Sequence, residues 1–523
     1  MIDFNNLKPS SQLSRSAIFP LRLKPFAPLL LLCAGLALTL LTACGGSDDP
    51  EPTPEPVVEA PRVVSITPED GTRDIEAGQI DITVVFDQNI VFRPTDYSKI
   101  LATSGSVTAA KAGKKELYIT FVCGPGATAT LTIPSGVVTN TRNMPAAEVT
   151  FTYTTKANAT PDPGYDDGHE QAADAVKNMG PGWNLGNTLD SYGAWIGDHQ
   201  PSSKYETAWG QPLADAHLMR ALKEKGFGAI RVPVTWYQHI QADGTVDADW
   251  MDRVQQVVDY VLDAGMYCVL NVHHDTGAHD DAWVVADLDV YNGSDGAMRT
   301  RFESLWTQIA TRFRNYSDKL IFEGYNEMLD KGFHWSQPTS SQSYAAVTGW
   351  AESFVKAVRA TGGNNQYRNL VVTTYSAAHG DQVLSNFKMP ENGGGQNHLI
   401  AEVHSYDPYD WVHTYNFKWT DACHNELLGM FQRLQKYIFS QGYPVIIGEY
   451  GSNGAGEATI NKSSTAAQKA EAGRQAADMS RLCRQYGAAC FYWMGIIEGA
   501  DRAEATFQWS MEQVADSIIK VYQ

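Results

Sequence analysis

The chain has 523 residues, too many for one ordinary hydrophobic core, so two or more folded units are expected. It is 43% hydrophobic and 11% aromatic, as globular proteins are, and its 13 Trp offer flat amphipathic rings suited to stacking on a ligand. The formal charge is -19; Lys8, Arg15, Arg22 and Lys24 against Asp3 give residues 1–43 a charge of +3, so the remainder carries -22. That disfavours nucleic acid and anionic lipid as ligands and leaves a neutral substrate as the better fit.

A basic stretch through Lys24 leads into PFAPLLLLCAGLALTLL, which closes on LTAC at 41–44. A short apolar run ending on small residues reads as an export signal over 1–43 rather than a spanning helix. Its final Cys resembles a bacterial lipobox. That implies cleavage before Cys44, lipid on its sulfur, and a protein anchored to a bacterial membrane, outer membrane or cell surface, through the lipid alone. The next residues, 44–61, alternate Pro with acidic side chains and suit an extended, solvated spacer.

From Arg62 to Thr155 the pattern is one of short strands: RVVSITP, QIDITVVFDQNI, KELYITFV, ATATLTI and EVTFTYTT. Period-two alternation over about 95 residues fits a small all-β sandwich. The segment VVSITPEDGTRDIEAGQIDITVVFDQNI resembles bacterial Ig-like modules, which implies a spacer, with glycan binding as the alternative. Residues 156–170 form a second linker.

Beyond it, from 171 to 523, strand and helix patterns alternate. Eight strands are expected: 182–187, 229–234, 267–273, 320–327, 370–375, 399–406, 444–450 and 489–495. The clearest helix is DWMDRVQQVVDYVLDAG, with Met251, Val254, Val257, Val258, Val261 and Leu262 at helical spacing and Gly265 as a stop. Eight such units point to an α/β fold, a (β/α)8 TIM barrel. An open doubly wound sheet is disfavoured because NLGNTLD lacks the glycine spacing of a phosphate loop. Cys33 and Cys44 belong to the leader, and the other five, Cys123, Cys268, Cys423, Cys483 and Cys490, show no regular spacing. Burial as small apolar residues is expected, with a Cys483–Cys490 bridge as the alternative.

In a barrel of this kind the strand C-termini converge on one face. The expected strands end on Asn187, Arg231, His273 with His274, Asn326 with Glu327, His404 with Tyr406, Glu449 and Trp493. Each residue alone has an ordinary structural explanation; together they form a polar constellation on one face. Glu327 and Glu449, from the fourth and seventh strands, supply the two carboxyls that glycoside hydrolysis needs across a scissile bond. NVHHD offers weak support for a metal, since adjacent residues point to opposite faces unless the strand has ended, and no HxH or HExxH completes a ligand set. No GxSxG marks a Ser hydrolase in this region. No metal or other cofactor is expected.

GWNLGNTLD, IRVPVTW, VLNVHHD, FEGYNEM, EVHSYDPY, IIGEYGS and FYWMG, in this order, together resemble a glycoside hydrolase family 5 cellulase across 175–523. The resemblance implies a retaining double displacement with Glu327 as acid/base and Glu449 as nucleophile. Arg231 is then expected to place a positive charge beside Glu449, and Tyr406 to donate its hydroxyl to the same carboxylate. Asn326 would bind the sugar 2-OH, and His404 would help cycle the proton of Glu327. Asn187, His273 and His274 would bind substrate, and Trp493 would form the floor on which a sugar stacks. Many family members have Pro after the acid/base Glu where this chain has Met328, which leaves subfamily and substrate open. The implied activity is that of a monomeric endo-β-1,4-glucanase acting on cellulose or mixed-linkage β-glucan. Xyloglucanase or β-mannanase activity is the alternative on the same site, and a non-catalytic glycan-binding lipoprotein is the alternative from another class.

Overall fold

The computed structural model describes residues 59–76, 78–123, 126–156, 168–293, 296–391, 397–409, 411, 418–452 and 460–523. The export signal, Cys44 and most of both expected linkers lie outside the described residues.

The first domain is a small β-sandwich. Val63–Thr67, Gly78–Phe86, Glu116–Cys123 and Ser106–Ala112 form one antiparallel sheet in that lateral order, and Leu101–Ala102, Thr128–Ile133 and Val149–Thr154 form another. Alternate residues face inward: Ile80, Ile82, Val84 and Phe86 meet Leu117, Ile119 and Phe121 in a core closed by Leu131, Phe151 and Tyr153. Ser106–Ala112 (SVTAAKA) was not among the expected strands. Its small and charged residues carry little β signal, and its pairing with Glu116–Cys123 supplies what propensity does not.

The second domain is a closed barrel of eight parallel strands: β1 (Pro181–Asn184), β2 (Ala229–Val232), β3 (Tyr267–Asn271), β4 (Leu320–Glu323), β5 (Leu370–Thr373), β6 (Leu399–Ser405), β7 (Val445–Tyr450) and β8 (Ala489–Trp493). Helices cover its outside. The one spanning Ala248–Asp263 buries Trp250, Met251, Val254, Val257, Val258 and Val261 on one face. All eight expected strands exist, but most stop early: β1 at Asn184 rather than 187, β3 at Asn271 rather than 273, and β4 at Glu323 rather than 327. The apolar pattern runs on because Tyr325 and Met328 are buried beyond the ladder. There the chain curls over the barrel mouth, with Gly324 N–H donating to Val371 O and Asn326 N–H to Val272 O.

Inside the barrel the side chains change character from bottom to top. The lower interior holds Ala229, Tyr267, Val269, Ile321, Val371, Ile400, Ile446, Ala489 and Phe491, and the helix Ala172–Met179 plugs it with Ala172, Ala175, Val176 and Met179. A two-residue step up each strand keeps the same face. It therefore brings Arg231, Asn271, Glu323, Thr373, Glu402 and then His404 inward above the apolar layer. The five described Cys are buried and unbridged.

Candidate active site

At the top of the barrel all five guanidinium N–H groups of Arg231 are used. Nε and Nη2 donate to the two oxygens of Glu323 at 2.6 and 2.7 Å. Nη1 donates to Asn184 Oδ1 at 3.0 Å and to Glu449 Oε1 at 2.9 Å, and Nη2 also donates to Asn326 Oδ1 at 2.8 Å. Burial alone would lower the guanidinium pKa; the carboxylates of Glu323, Glu402 and Glu449 raise it well above its ordinary value. Burial pushes the Glu323 carboxyl up to about 7, against the pull of Arg231. The other partners of Asn184 are Gly448 O and Phe491 O, so its amide locks β1, β2, β7 and β8 together.

Glu449 points into the mouth because β7 is bulged. The register steps from Val403↔Ile447 to His404↔Glu449, skipping Gly448. Ile446 and Gly448 face inward by alternation, so an unbulged strand would turn Glu449 outward; the bulge rotates it back. Its Oε2 accepts from Tyr406 Oη at 2.9 Å, and the His273 Nε2 stands 3.9 Å from Oε1. One oxygen each of Glu327 and Glu449 and a ring nitrogen of His404 all lie within 4.8 Å of one another.

Glu327 accepts from His404 Nδ1–H at 2.8 Å. Burial pushes its carboxyl above the ordinary range, while the His404 hydrogen bond and charge pull it down. Burial opposes charge on the His404 ring; Glu449, Glu327 and Glu402 outweigh it and raise the ring to about 10. His273 is different. Burial and the charges around it hold its pKa well down, and Asn271 Nδ2–H donates to its Nδ1 at 3.0 Å, so the neutral ring carries its proton on Nε2, facing the site.

Trp493 lies parallel to the His273 ring at 6.0 Å, and its indole fills the space above Gly186, where a Cβ would come within 2.8 Å of it. The next residue, Met494, has φ 27°, backbone strain of the kind that collects where a side chain must be aimed. His274 packs among Tyr192, Trp209 and His279. Asn187 sits beyond β1 at φ 56°, in a loop whose Asn187 and Thr188 N–H groups donate to Asp190. The alternation argument against joint ligation by His273 and His274 fails, because β3 has ended at Asn271 and both rings approach Asp190. Both Asp190 oxygens already accept backbone N–H groups, however, and His273 Nδ1 is taken by Asn271.

The reading from sequence missed Asn184, Asn271, Glu323, Thr373 and Glu402. Two-residue spacing along each strand was the available signal: Glu323 follows Ile321, and Glu402 precedes His404, in runs otherwise apolar enough to be buried.

A sequence model described as cellulase (glycosyl hydrolase family 5) matches residues 189–497, and one described as bacterial Ig-like domain matches residues 57–155. The chain belongs to glycosyl hydrolase family 5: it is a glycoside hydrolase with a (β/α)8 catalytic domain behind a bacterial Ig-like domain. Endoglucanase A of Ruminococcus albus is 32% identical over 364 residues, covering 67% of this chain and 92% of that protein. Among solved structures, the family 5 enzyme PbGH5A of Prevotella bryantii, a mutant in complex with a xyloglucan tetradecasaccharide, is 46% identical with a TM-score of 0.64, over 68% of this chain and 99% of that one. A broad-specificity endoglucanase from an uncultured bacterium is 40% identical with a TM-score of 0.62, over 69% and 98%.

Proposed function

We propose that the chain is a retaining endo-β-1,4-glucanase with Glu449 as nucleophile and Glu327 as acid/base. The observation that carries this reading is the close approach of Glu327, Glu449 and His404, within 4.8 Å. That approach of the nearest oxygens suits the roughly 5–5.5 Å carboxyl separation of a retaining pair, with direct attack by one carboxylate, better than the roughly 6.5–9.5 Å that admits a water in an inverting pair. The hydrogen bonds divide the roles. Both oxygens of Glu449 accept, from Arg231 and Tyr406, which fixes a carboxylate for attack at the anomeric carbon. Among the described residues no guanidinium is bonded to Glu327, and desolvation together with the Glu449 charge pushes its carboxyl above the ordinary range, toward the acid form.

In the first step the Glu327 proton passes to the glycosidic oxygen as the C1–O bond breaks and a Glu449 oxygen bonds to C1. In the second, Glu327 takes a proton from water as that water attacks C1 and the ester to Glu449 breaks. Unbranched β-1,4-glucan is the leading substrate. Xyloglucan is the second reading, favoured by the xyloglucan oligosaccharide in PbGH5A, and a polysaccharide panel with product sizing separates them. The chain is also read as exported and anchored through Cys44, on the strength of LTAC.

The roles are tested by substitution. Glu449→Gly is expected to abolish turnover and to yield an inverted α-glycosyl azide when azide is supplied. Glu327→Ala is expected to slow substrates with poor leaving groups by about 10²–10⁴-fold, to spare an activated aryl glycoside in glycosylation, and to give a retained β-azide. Exchanged stereochemistry would reverse the roles, and an inverted first product from the wild type would rule out double displacement.

A further inference from the structure

Behind the proposed acid/base lies a carboxylate that the two-step chemistry does not itself use. Glu402 of β6 is wholly buried, two residues before His404 on the same inward face. Its Oε2 accepts from Thr373 Oγ1 at 2.8 Å. Its Oε1 makes no hydrogen bond and stands 3.5 Å from His404 Nε2 and 3.6 Å from Arg231 Nε; His404 Nε2 is likewise without a hydrogen bond. The neighbouring strand makes room for this pair. A Cβ on Gly448 would collide with Glu402 Oε1 and come 3.0 Å from His404 Nε2. The bulge glycine that turns Glu449 inward therefore also leaves space for a carboxylate behind the histidine.

We propose that Glu402 is a positioning residue for the acid/base: by facing His404 Nε2 it keeps the Nδ1 proton on the ring, so that Nδ1–H always occupies Glu327 Oε1 and the transferable proton of Glu327 is confined to Oε2. The inference rests on Glu327 being the acid/base. Its physical content is a choice between ring states. A His404 bare at Nδ1 would accept the proton of Glu327 and turn it away from the glycosidic oxygen; a carboxylate at Nε2 favours the doubly protonated ring instead. His404 and Glu402 neither gain nor lose a proton over the two steps. The other titratable groups around this pair are Arg231 from β2, His273 after β3, Glu323, Tyr325 and Glu327 from β4 and its loop, Tyr406 after β6 and Glu449 from β7. Of these, Arg231 is already fully engaged, and the hydrogen bonds of Glu327 and Tyr406 are to His404 Nδ1 and Glu449 respectively. Glu402 is the carboxylate placed at Nε2.

The test uses the full chain with Glu402→Gln, comparing kcat/KM on soluble β-1,4-glucan and on dinitrophenyl β-cellobioside, whose leaving group needs no proton. The expected result is a loss of about tenfold or more on the polysaccharide with less than about threefold on the aryl glycoside, a split that follows from lost acid catalysis. A merely structural role would lower both alike, and equal losses overturn the proposal. Glu402→Asp keeps the charge but withdraws it from His404 Nε2; it is expected to give the same split in smaller measure and carries the test if Glu402→Gln does not fold. The wild type provides a third reading through the ring nitrogen NMR shifts of His404. A doubly protonated ring at mildly alkaline pH is expected, and a neutral ring overturns the proposal. Glu327→Ala is run in parallel. If it shows no leaving-group split, the acid/base assignment fails and the proposal falls with it; a split in Glu327→Ala with none in Glu402→Gln overturns the role of Glu402 alone.

Discussion

Arg231 illustrates why one side chain could not be replaced by a similar one. A planar guanidinium offers five donors in a fixed fork, and here they meet acceptors on four residues, two of those acceptors on the Glu323 carboxylate. Lysine has a single nitrogen with three donors and could not span Glu323, Asn184, Asn326 and Glu449 together. At the same scale, burial of Glu327 has a consequence for pH dependence. The acid form must be present for proton donation, and burial raises the pKa, so that form persists above the pH at which an exposed Glu would have ionised. The alkaline limb of kcat/KM on polysaccharide is therefore expected above the ordinary Glu range. With dinitrophenyl β-cellobioside, which needs no acid, that limb should be absent from the glycosylation step. A polysaccharide limb at the value of an exposed carboxyl would contradict this account of the burial.

At the scale of single elements, the eight strands were legible because parallel barrel strands are buried on both faces and read as apolar runs. The ends of those strands were not. In LIFEGYNEM the apolar residues Tyr325 and Met328 continue past Glu323, and no periodicity marks where ladder pairing gives way to a loop curling over the mouth. Glu327 and Glu449 could be picked out because they stand at or next to the last residue of their expected strands. Glu323 and Glu402, inside the runs, are visible only once the inward face is known. The bulge at Gly448 was also hidden, since a glycine in a strand signals a bulge or a close approach without saying which, and here it is both. A comparable close approach gives a prediction at Gly186. Gly186→Ala would push a methyl against the Trp493 indole, which Met494 can yield to only by relaxing a strained backbone. The expected effect is a weaker stacking floor, a loss of about 1 kcal/mol, roughly fivefold in kcat/KM. It should appear mainly as a raised KM, and a drop confined to kcat would argue against the floor role.

At the scale of the whole chain, every proposed catalytic residue lies beyond the second linker. A chain beginning near Gly168 is expected to fold and to keep kcat/KM on soluble β-glucan within about twofold, as an independently folding domain would. Among the described residues, Val122 of the sandwich joins the barrel's outer apolar cluster, so a loss of folding on truncation would show that this small contact matters more than its size suggests. Cys44→Ser addresses the proposed anchor: activity should move from the membrane fraction to the soluble fraction, or processing should stop, and unchanged partitioning would count against lipidation. The plug helix Ala172–Met179 bears on what such an anchor would mean mechanically. Just before it, Asp318 accepts from Glu170 N–H and pairs with His169, Tyr267 Oη donates to the Glu170 carboxylate, and Asn369 donates to Glu170 O. Ala172 N–H then donates to Asn397 O. A tension on the upstream chain, as when a held enzyme grips a polymer that drifts, is thus spread across the lower ends of β3, β4, β5 and β6. Glu327 and Glu449 stand at the opposite end of those strands, so such a pull is expected to load the floor of the barrel before it reaches the two carboxylates.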